Sequence, residues 1–195
     1  MIKNLSKSQL STLAILGTAL QESDETEDYI RGDNYYQWYY ALGAAIKPRA
    51  IIEFGVRYGY SLLAMIKGAR SASENIPIAY GFDSEFDLQG SCDIAWNTLK
   101  DWCVASIQKI DTTDEAAIRC PFLGDIVHVD ADHSPEGVVR ELKLAHRMVS
   151  PTGIIVVDDT EAAHIREAAI NFARENGYTM TELSTLRGMA VLYTP

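Results

Sequence analysis

Apolar and polar stretches alternate along the chain in a way that predicts strands and helices in turn. Short apolar runs of strand length are separated by segments in which apolar residues return every three or four positions, as on one face of a helix. Strands that alternate with helices are typical of an α/β domain with a parallel sheet. The predicted strands are 50–52, 76–83, 104–110, 125–129, 154–157, 178–183 and 189–193.

Capping residues support several of the predicted helices. Ser134 and Pro135 are favourable at the N-cap and the first position of a helix. Gly177 is favourable directly after the helix predicted over Glu161 to Asn176. A helix is also predicted from Tyr60 onward, and another over Asp93 to Trp102.

The first part of the chain is predicted to be a helical extension of the domain. One helix begins near Ser6, the acidic stretch 22–28 connects it to the next segment, and 29–40 contains five of the ten tyrosines. Because aromatic side chains are mostly buried, packing in the core or between subunits is the favoured interpretation. A lid over a binding site is the alternative.

Length and composition indicate one domain over residues 1–195, with a helical cap over 1–45 and an α/β core over 46–195. The chain is 47% hydrophobic and has a net charge of −10, from 27 acidic and 17 basic residues. The charge disfavours a nucleic-acid surface, which needs a basic patch. Three cysteines without Cys-x-x-Cys spacing suggest neither disulfides nor zinc. Without a signal or transmembrane segment, a cytoplasmic location is expected.

The stretch that ends the first strand predicts a cradle for a small ligand. Glu53 ends the strand, Gly55 and Gly59 follow four positions apart, and Ser61 begins the next helix. Glycines let the backbone approach a ligand closely, and free N–H groups at a helix N-terminus attract an anion. A plain turn between strand and helix is the alternative.

Two later strand ends supply further candidate ligand contacts. Asp83 ends the second strand, where an acid of a βαβ unit binds ribose hydroxyls. Glu85 and Asp87 are weaker candidates for that role. Asp111 and Thr112 follow the third strand, and their alternative role is to cap a helix before Glu115–Ile118.

Carboxylates also end the next two strands of the predicted sheet. Asp130 follows one of them, and Asp158 and Asp159 follow the other. Parallel strands have their carboxyl ends along one edge, where ligands bind. Oxygen ligands of this kind suit Mg²⁺. The alternative is that Asp159 or Thr160 caps the following helix.

These motifs together resemble the class I S-adenosylmethionine-dependent O-methyltransferases. The residues that carry the resemblance are the loop Glu53–Ser61, the segment 125–138, and the Val-Val-Asp-Asp-Thr segment 156–160. The most similar members are the metal-dependent enzymes that modify macrolide sugars and cephalosporins; catechol O-methyltransferase is a more distant one. The resemblance covers residues 50–159. It implies a Rossmann-like, seven-stranded, mostly parallel sheet of order 3-2-1-4-5-7-6 with helices on both faces.

The resemblance also implies roles for individual residues. S-adenosylmethionine is expected at Glu53, Gly55, Gly59, Ser61, Asp83, Asp111, Thr112 and Asp130. Magnesium is expected at Asp130, Asp158 and Asp159. Asp130 and His133 are the candidate catalytic residues, because His133 stands where the sugar-modifying members have a histidine base.

The chemistry of His133 supports that role independently of the resemblance. A neutral imidazole is a common proton acceptor near pH 7, and a hydroxyl must lose its proton as it is methylated. A surface histidine is the alternative. Asp132 either orients His133 or replaces Asp130 as the first metal ligand, and His164 is a second candidate base.

The sequence therefore predicts a Mg²⁺-dependent O-methyltransferase that acts on a small hydroxylated acceptor, such as a sugar, a polyol or a catechol-like compound. A metal-independent methyltransferase and a non-catalytic nucleotide-binding module are the alternatives. No nucleic-acid or membrane partner is expected. Subunits are expected to associate, if they do so, through the N-terminal aromatic segment.

Overall fold

The computed structural model describes residues 35–85, 90–183, 185 and 187–194. The helix predicted near Ser6, the acidic stretch 22–28 and the candidate Asp87 lie outside these residues. The domain division at residue 45 therefore stays a prediction.

Seven strands form one sheet, as the apolar runs predict. Its order is β3-β2-β1-β4-β5-β7-β6, and β7 runs antiparallel to both of its neighbours. The other neighbouring strands pair in parallel, which confirms the mostly parallel sheet of the resemblance. The strands are β1 (Ala50–Phe54), β2 (Ile78–Phe82), β3 (Val104–Gln108), β4 (Gly124–Val129), β5 (Val149–Asp158), β6 (Thr179–Leu183) and β7 (Met189–Tyr193).

Five α-helices lie within the described residues, and none of these is long and apolar enough to cross a bilayer. The Ser134 side chain accepts a hydrogen bond from the backbone N–H of Gly137, which confirms the predicted N-cap. Gly177, with φ of 72°, ends the last helix as predicted. The helices are α1 (Tyr35–Ile46), α2 (Tyr60–Ala72), α3 (Ser91–Leu99), α4 (Pro135–Met148) and α5 (Ala163–Asn176).

Two local alternatives from the sequence do not occur. Residues 111–121 form turns and contain no helix, so Asp111 and Thr112 cap nothing. Asp111 instead accepts a hydrogen bond from the backbone N–H of Thr113, a local turn that competes with helix formation. The N-cap of α5 is Ala162, so neither Asp159 nor Thr160 caps that helix.

The sheet separates two hydrophobic clusters, each covered by helices. Leu42 of α1 and Met65 of α2 pack on one face, together with Leu99 of α3. Leu142 of α4 and Ala169 of α5 pack on the other face. Helices therefore cover both faces, as the alternating pattern of the sequence predicts.

Helices α1 and α2 approach each other closely through two glycines. A Cβ atom added to Gly43 would lie 1.9 Å from the carbonyl oxygen of Met65, and one added to Gly68 would lie 1.9 Å from that of Tyr40. Such distances are shorter than any van der Waals contact. Only glycine at both positions lets α1 lie this close to α2, and α1 carries the tyrosines that reach the sheet edge.

We expect Gly68→Ala to lower the free energy of unfolding by about 2 kcal/mol, because overpacking a tight contact costs this much. Helix propensity alone predicts the opposite sign, a gain of about 0.5–1 kcal/mol. Urea denaturation measures the difference. Ala45→Ser, on an exposed position of α1, is the control. An unchanged or increased stability of Gly68→Ala would contradict the close packing.

Candidate active site

The loop between β1 and α2 has the backbone of a tight cradle. Gly55 has φ of 84°, and a Cβ there would lie 2.0 Å from the carbonyl oxygen of Asp130. Gly59 has φ of 76° and is the N-cap residue of α2. Residues other than glycine rarely adopt these backbone conformations. Both predicted glycines are therefore required, Gly55 by crowding as well as by its φ angle.

A cavity of about 540 Å³, which we call the main cavity, opens beside this loop at the carboxyl ends of the strands. Ligands of open parallel sheets bind at this edge. The volume is suited to a small-molecule ligand. The predicted residues that line it are Gly55, Ser61, Asp83, Asp130 and His133, together with the weaker candidate Glu85. Tyr35 and Tyr36, from the segment for which a lid was the alternative, also line it. The lining residues that were not predicted include Arg57, Tyr58, Tyr60 and Arg187.

Asp83 connects the first two strand ends. Its Oδ2 accepts a hydrogen bond from the backbone N–H of Arg57 at 2.7 Å, and its Oδ1 accepts one from that of Glu85 at 2.8 Å. A carboxylate oxygen accepts more than one hydrogen bond, so these contacts leave acceptor capacity toward the cavity. Asp83 is thus held in place at the position predicted for ribose binding.

A second, smaller cavity of about 220 Å³ adjoins the main cavity and shares Asp83 and His133 with it. Asp111 and Thr112 line this second cavity. Beneath its wall, the buried Glu141 of α4 accepts hydrogen bonds from the Thr112 hydroxyl at 2.7 Å and from the backbone N–H of Asp132 at 3.1 Å. Burial raises the pKa of Glu141 to about 7.

A continuous chain of buried hydrogen bonds runs beneath the main cavity. The Ser61 hydroxyl donates to Glu53 Oε1 at 2.6 Å, and His128 Nδ1 lies 2.7 Å from the same oxygen. His128 Nε2 lies 2.8 Å from the Tyr39 hydroxyl, which donates to that of Tyr35. The Tyr35 hydroxyl in turn donates to Asp158. We call these residues the buried chain: Ser61, Glu53, His128, Tyr39, Tyr35 and Asp158.

The centre of the buried chain is an ion pair. Glu53 and His128 are both completely buried. Burial by itself lowers the pKa of His128, but the hydrogen bond and charge of Glu53 outweigh it and raise the pKa to about 9. Glu53 therefore lies below the cavity wall and contacts the cavity through Ser61. Nothing in the sequence pattern indicated that His128 pairs with Glu53.

Asp158 faces inward at the end of β5. It is 2% exposed, and its Oδ1 has no hydrogen-bond partner within the described part of the chain. Burial and the nearby charge of Asp130 raise the pKa of Asp158 to about 7. Tyr35 covers this carboxylate, which does not line the main cavity.

Asp159 follows the end of β5 with a φ of 54°, and its carboxylate belongs to a different group of possible ligand atoms from that of Asp158. Arg187 binds Asp159 through Nε at 2.8 Å and Nη2 at 3.1 Å. His133 Nε2 lies 3.0 Å from Asp159 Oδ2 and 3.3 Å from Asp130 Oδ1. Hydrogen bonds with Asp130 and Asp159 raise the pKa of His133 to about 10.

The three predicted metal ligands do not form one cluster. Within the described residues, potential ligand atoms come together as His128, Asp130 and Asp158, and separately as Asp130, His133 and Asp159. Asp130 belongs to both sets. The side chains of Asp158 and Asp159 are separated by the turn that ends β5.

The two remaining candidates position the His133 segment instead of lining the main cavity. Asp132 binds Arg140 at 2.6 Å and accepts a hydrogen bond from the backbone N–H of Ser134. His164 Nε2 lies 2.8 Å from the backbone oxygen of His133, to which it is able to donate. Both contacts hold the loop that presents His133.

Sequence reasoning missed Arg187 and Glu141, and it named Tyr35 only as part of the aromatic segment 29–40. The helical spacing of Glu141 could have indicated its burial, because Glu141 lies on the same face of α4 as the apolar Val138 and Leu142. Nothing in the pattern indicated Arg187, which lies in the loop between β6 and β7. Its position beside Asp159 depends on the antiparallel insertion of β7 next to β5.

Comparisons with known proteins agree with this fold. A sequence model described as a methyltransferase domain matches residues 52–160. No curated protein sequence matches the chain at a significant level. Many solved structures are similar in fold.

Three of these structures illustrate the similarity. An O-methyltransferase from Bacillus cereus in complex with SAH is 16% identical, with a TM-score of 0.66, covering 100% of this chain and 94% of that one. TomG from Streptomyces achromogenes, an O-methyltransferase involved in tomaymycin synthesis and bound to SAM, is 15% identical, with a TM-score of 0.63, covering 100% and 93%. An SAH-bound methyltransferase from Podospora anserina is 14% identical, with a TM-score of 0.60, covering 100% and 99%.

We expect Glu141→Gln to change the pH dependence of stability. The folded-state pKa of about 7 lies above the model-compound value of 4.5, so the folded protein favours the protonated acid. Stability contributed by this proton is present below pH 4.5 and is lost as the pH rises to about 7. The variant should equal the wild type near pH 4 and be more stable by about 3 kcal/mol at pH 8.

Urea denaturation at both pH values measures this difference. Glu167→Gln, at an exposed acid of α5, controls for the loss of one negative charge. An equal difference between variant and wild type at the two pH values would contradict the assignment of a raised pKa to Glu141.

Proposed function

Because the chain belongs to the methyltransferase domain family, we propose that it is an S-adenosylmethionine-dependent O-methyltransferase acting on a small hydroxylated molecule. The family membership rests on the match over residues 52–160. The observation that carries the proposal is the main cavity, whose lining includes the glycine loop and Asp83 together with Asp130 and His133. One cavity thus has a place for a nucleoside-type cofactor and a place for proton transfer.

The residues of the loop fit the proposed cofactor. The backbone at Gly55 leaves space that a Cβ would fill, Ser61 lines the cavity, and Asp83 presents a carboxylate suited to ribose hydroxyls. Asp111 and Thr112, in the adjoining cavity, are proposed to contact the adenine. Glu53 is proposed to act through Ser61. S-adenosylmethionine, when bound, supplies a methyl group on a positively charged sulfur.

The proposed reaction forms an O–C bond at the acceptor and breaks the S–C bond of the sulfonium. The hydroxyl proton must leave as this happens. His133 Nε2 is within hydrogen-bonding distance of Asp130 and Asp159, so its proton is shared with carboxylates in this arrangement. Because its raised pKa keeps His133 protonated near pH 7, we assign proton acceptance to the Asp130 carboxylate, which His133 positions, in place of the isolated neutral imidazole predicted from the sequence.

The predicted Mg²⁺ set does not fit the main cavity in this arrangement. Tyr35 covers Asp158, and both Arg187 and His133 bind Asp159. A divalent cation would have to displace the Arg187 guanidinium to reach Asp159. This favours the metal-independent alternative, and no step of the proposed reaction depends on a metal. The acceptor class, the cytoplasmic location and self-association stay predictions.

We expect Ser84→Tyr to weaken binding of S-adenosylhomocysteine, the demethylated product, by about 100-fold or more, because an aromatic ring would fill cofactor space. Ser84 lines both cavities and is exposed, so the larger side chain should not disturb the core. Isothermal titration calorimetry measures the affinity. Gly55→Val is less suitable, since it would also collide with the backbone of Asp130.

Asn75→Tyr is the matched control, because it adds the same bulk at an exposed position that lines neither cavity. It should bind the product like the wild type. Equal affinity in Ser84→Tyr would refute the cofactor site. Absence of product binding by the wild-type protein would refute the proposed function itself.

We expect His133→Ala to lower turnover by about 10²–10⁴-fold, the usual range for general acid–base catalysis, because the variant loses the contact that positions the Asp130 carboxylate. Affinity for S-adenosylhomocysteine should stay within about twofold, because Asp83 and the glycine loop are unchanged. Methyl transfer from labelled S-adenosylmethionine to a panel of hydroxylated acceptors measures turnover. His146→Ala is the control, since His146 pairs with Tyr178 away from the cavity. Near-native turnover in His133→Ala would exclude a catalytic role for His133.

A further inference from the structure

The main cavity presents a guanidinium where the sequence predicted an open carboxylate. Arg187 lines the cavity, whereas its partner Asp159 does not. The guanidinium carbon of Arg187 lies 5.2 Å from the centre of the Tyr35 ring, which itself covers Asp158. The end of the cavity near His133 therefore offers a fixed cation to an incoming ligand.

The hydrogen bonds of Arg187 leave a binding edge available. A guanidinium has five N–H donors in a plane. Asp159 accepts from Nε and Nη2, and the described residues supply no further side-chain acceptor. The edge formed by Nη1 and Nη2 is a second fork that matches the geometry of a carboxylate.

This edge lies close to the proposed site of reaction. His133 Nε2 and Arg187 Nη2 both contact Asp159 Oδ2, at 3.0 and 3.1 Å, so the two nitrogens are at most about 6 Å apart. This upper bound favours an acceptor in which the hydroxyl near His133 and the carboxylate at Arg187 are close to each other in the molecule. The contacts to Asp159 and Tyr35 hold the guanidinium in place, which reduces the entropy lost when a ligand binds.

We propose that Arg187 binds a carboxylate of the acceptor, and that the acceptor is a hydroxy acid with its reacting hydroxyl on the carbon that bears the carboxylate or on the next one. This inference rests on the proposed O-methyltransferase function and specifies the acceptor class. The carboxylate makes and breaks no covalent bond; it orients the hydroxyl toward the Asp130–His133 pair. Arg187 is thus a specificity-determining residue.

The test uses protein saturated with S-adenosylhomocysteine in the presence of EDTA. Calorimetry compares two matched pairs of ligands, salicylate with salicylamide and mandelate with mandelamide. Wild-type protein should bind at least one acid about tenfold or more tightly than its amide, because a charge-assisted bidentate contact is lost in the amide. Arg187→Met should abolish this preference and leave the affinity for S-adenosylhomocysteine unchanged.

Two further variants locate the effect. Arg187→Lys should retain only part of the preference, because lysine keeps the charge and loses the fork. Arg57→Met removes another guanidinium that lines the same cavity, beside Tyr58, and should retain the full preference. Loss of the preference in Arg57→Met with retention in Arg187→Met would overturn the assignment.

The remaining outcomes separate this inference from the proposed function. If S-adenosylhomocysteine binds but neither acid is preferred, the acceptor inference fails and the proposed function stands. If the preference appears only when Mg²⁺ replaces EDTA, a metal and not Arg187 recognises the carboxylate, and the inference is again overturned. If S-adenosylhomocysteine itself does not bind, the proposed function fails together with it.

Discussion

The ion pair between Glu53 and His128 is the interaction on which the geometry of the site depends. Both side chains are completely buried at neighbouring positions of β1 and β4. Such a pair contributes little net stability, because desolvation offsets the attraction, but breaking it leaves an uncompensated buried charge. The pair instead positions the elements that surround the cavity. Through Ser61 it holds the start of α2, and through Tyr39 and Tyr35 it connects α1 to the end of β5.

The buried chain explains why α1 must lie against α2. The hydroxyl groups of Tyr39 and Tyr35 reach His128 and Asp158 only because the glycine contacts at Gly43 and Gly68 let the two helices approach. Packing between helices thereby determines which carboxylates face the cavity. Tyr35 covers Asp158, so the cavity receives a phenol and a guanidinium where a row of strand-end acids was expected.

Asp159, directly after the end of β5, is likewise engaged by a partner from a distant part of the chain, Arg187. Adjacent residues of a strand point in opposite directions, and the turn at Asp159 separates its carboxylate from that of Asp158. Each acid then has a different partner. His128, His133 and Arg187 form ion pairs with the acids of this region, and the three strand-end carboxylates do not gather at one position.

The sequence by itself determined the fold and the sheet edge at which the candidate site was sought. The alternation of strand-length and helix-period runs, the glycine spacing at Gly55 and Gly59, and the acids at strand ends are local signals, and their resemblance to a known family supplied the strand order. Only the tertiary structure decided which side chains line the cavity. Glu53 and Asp158 are buried beneath it and Arg187 enters it, because burial and ion pairing depend on residues that are distant in sequence. Periodicity reports which face of an element is apolar, but it does not report which partner a charged side chain will meet.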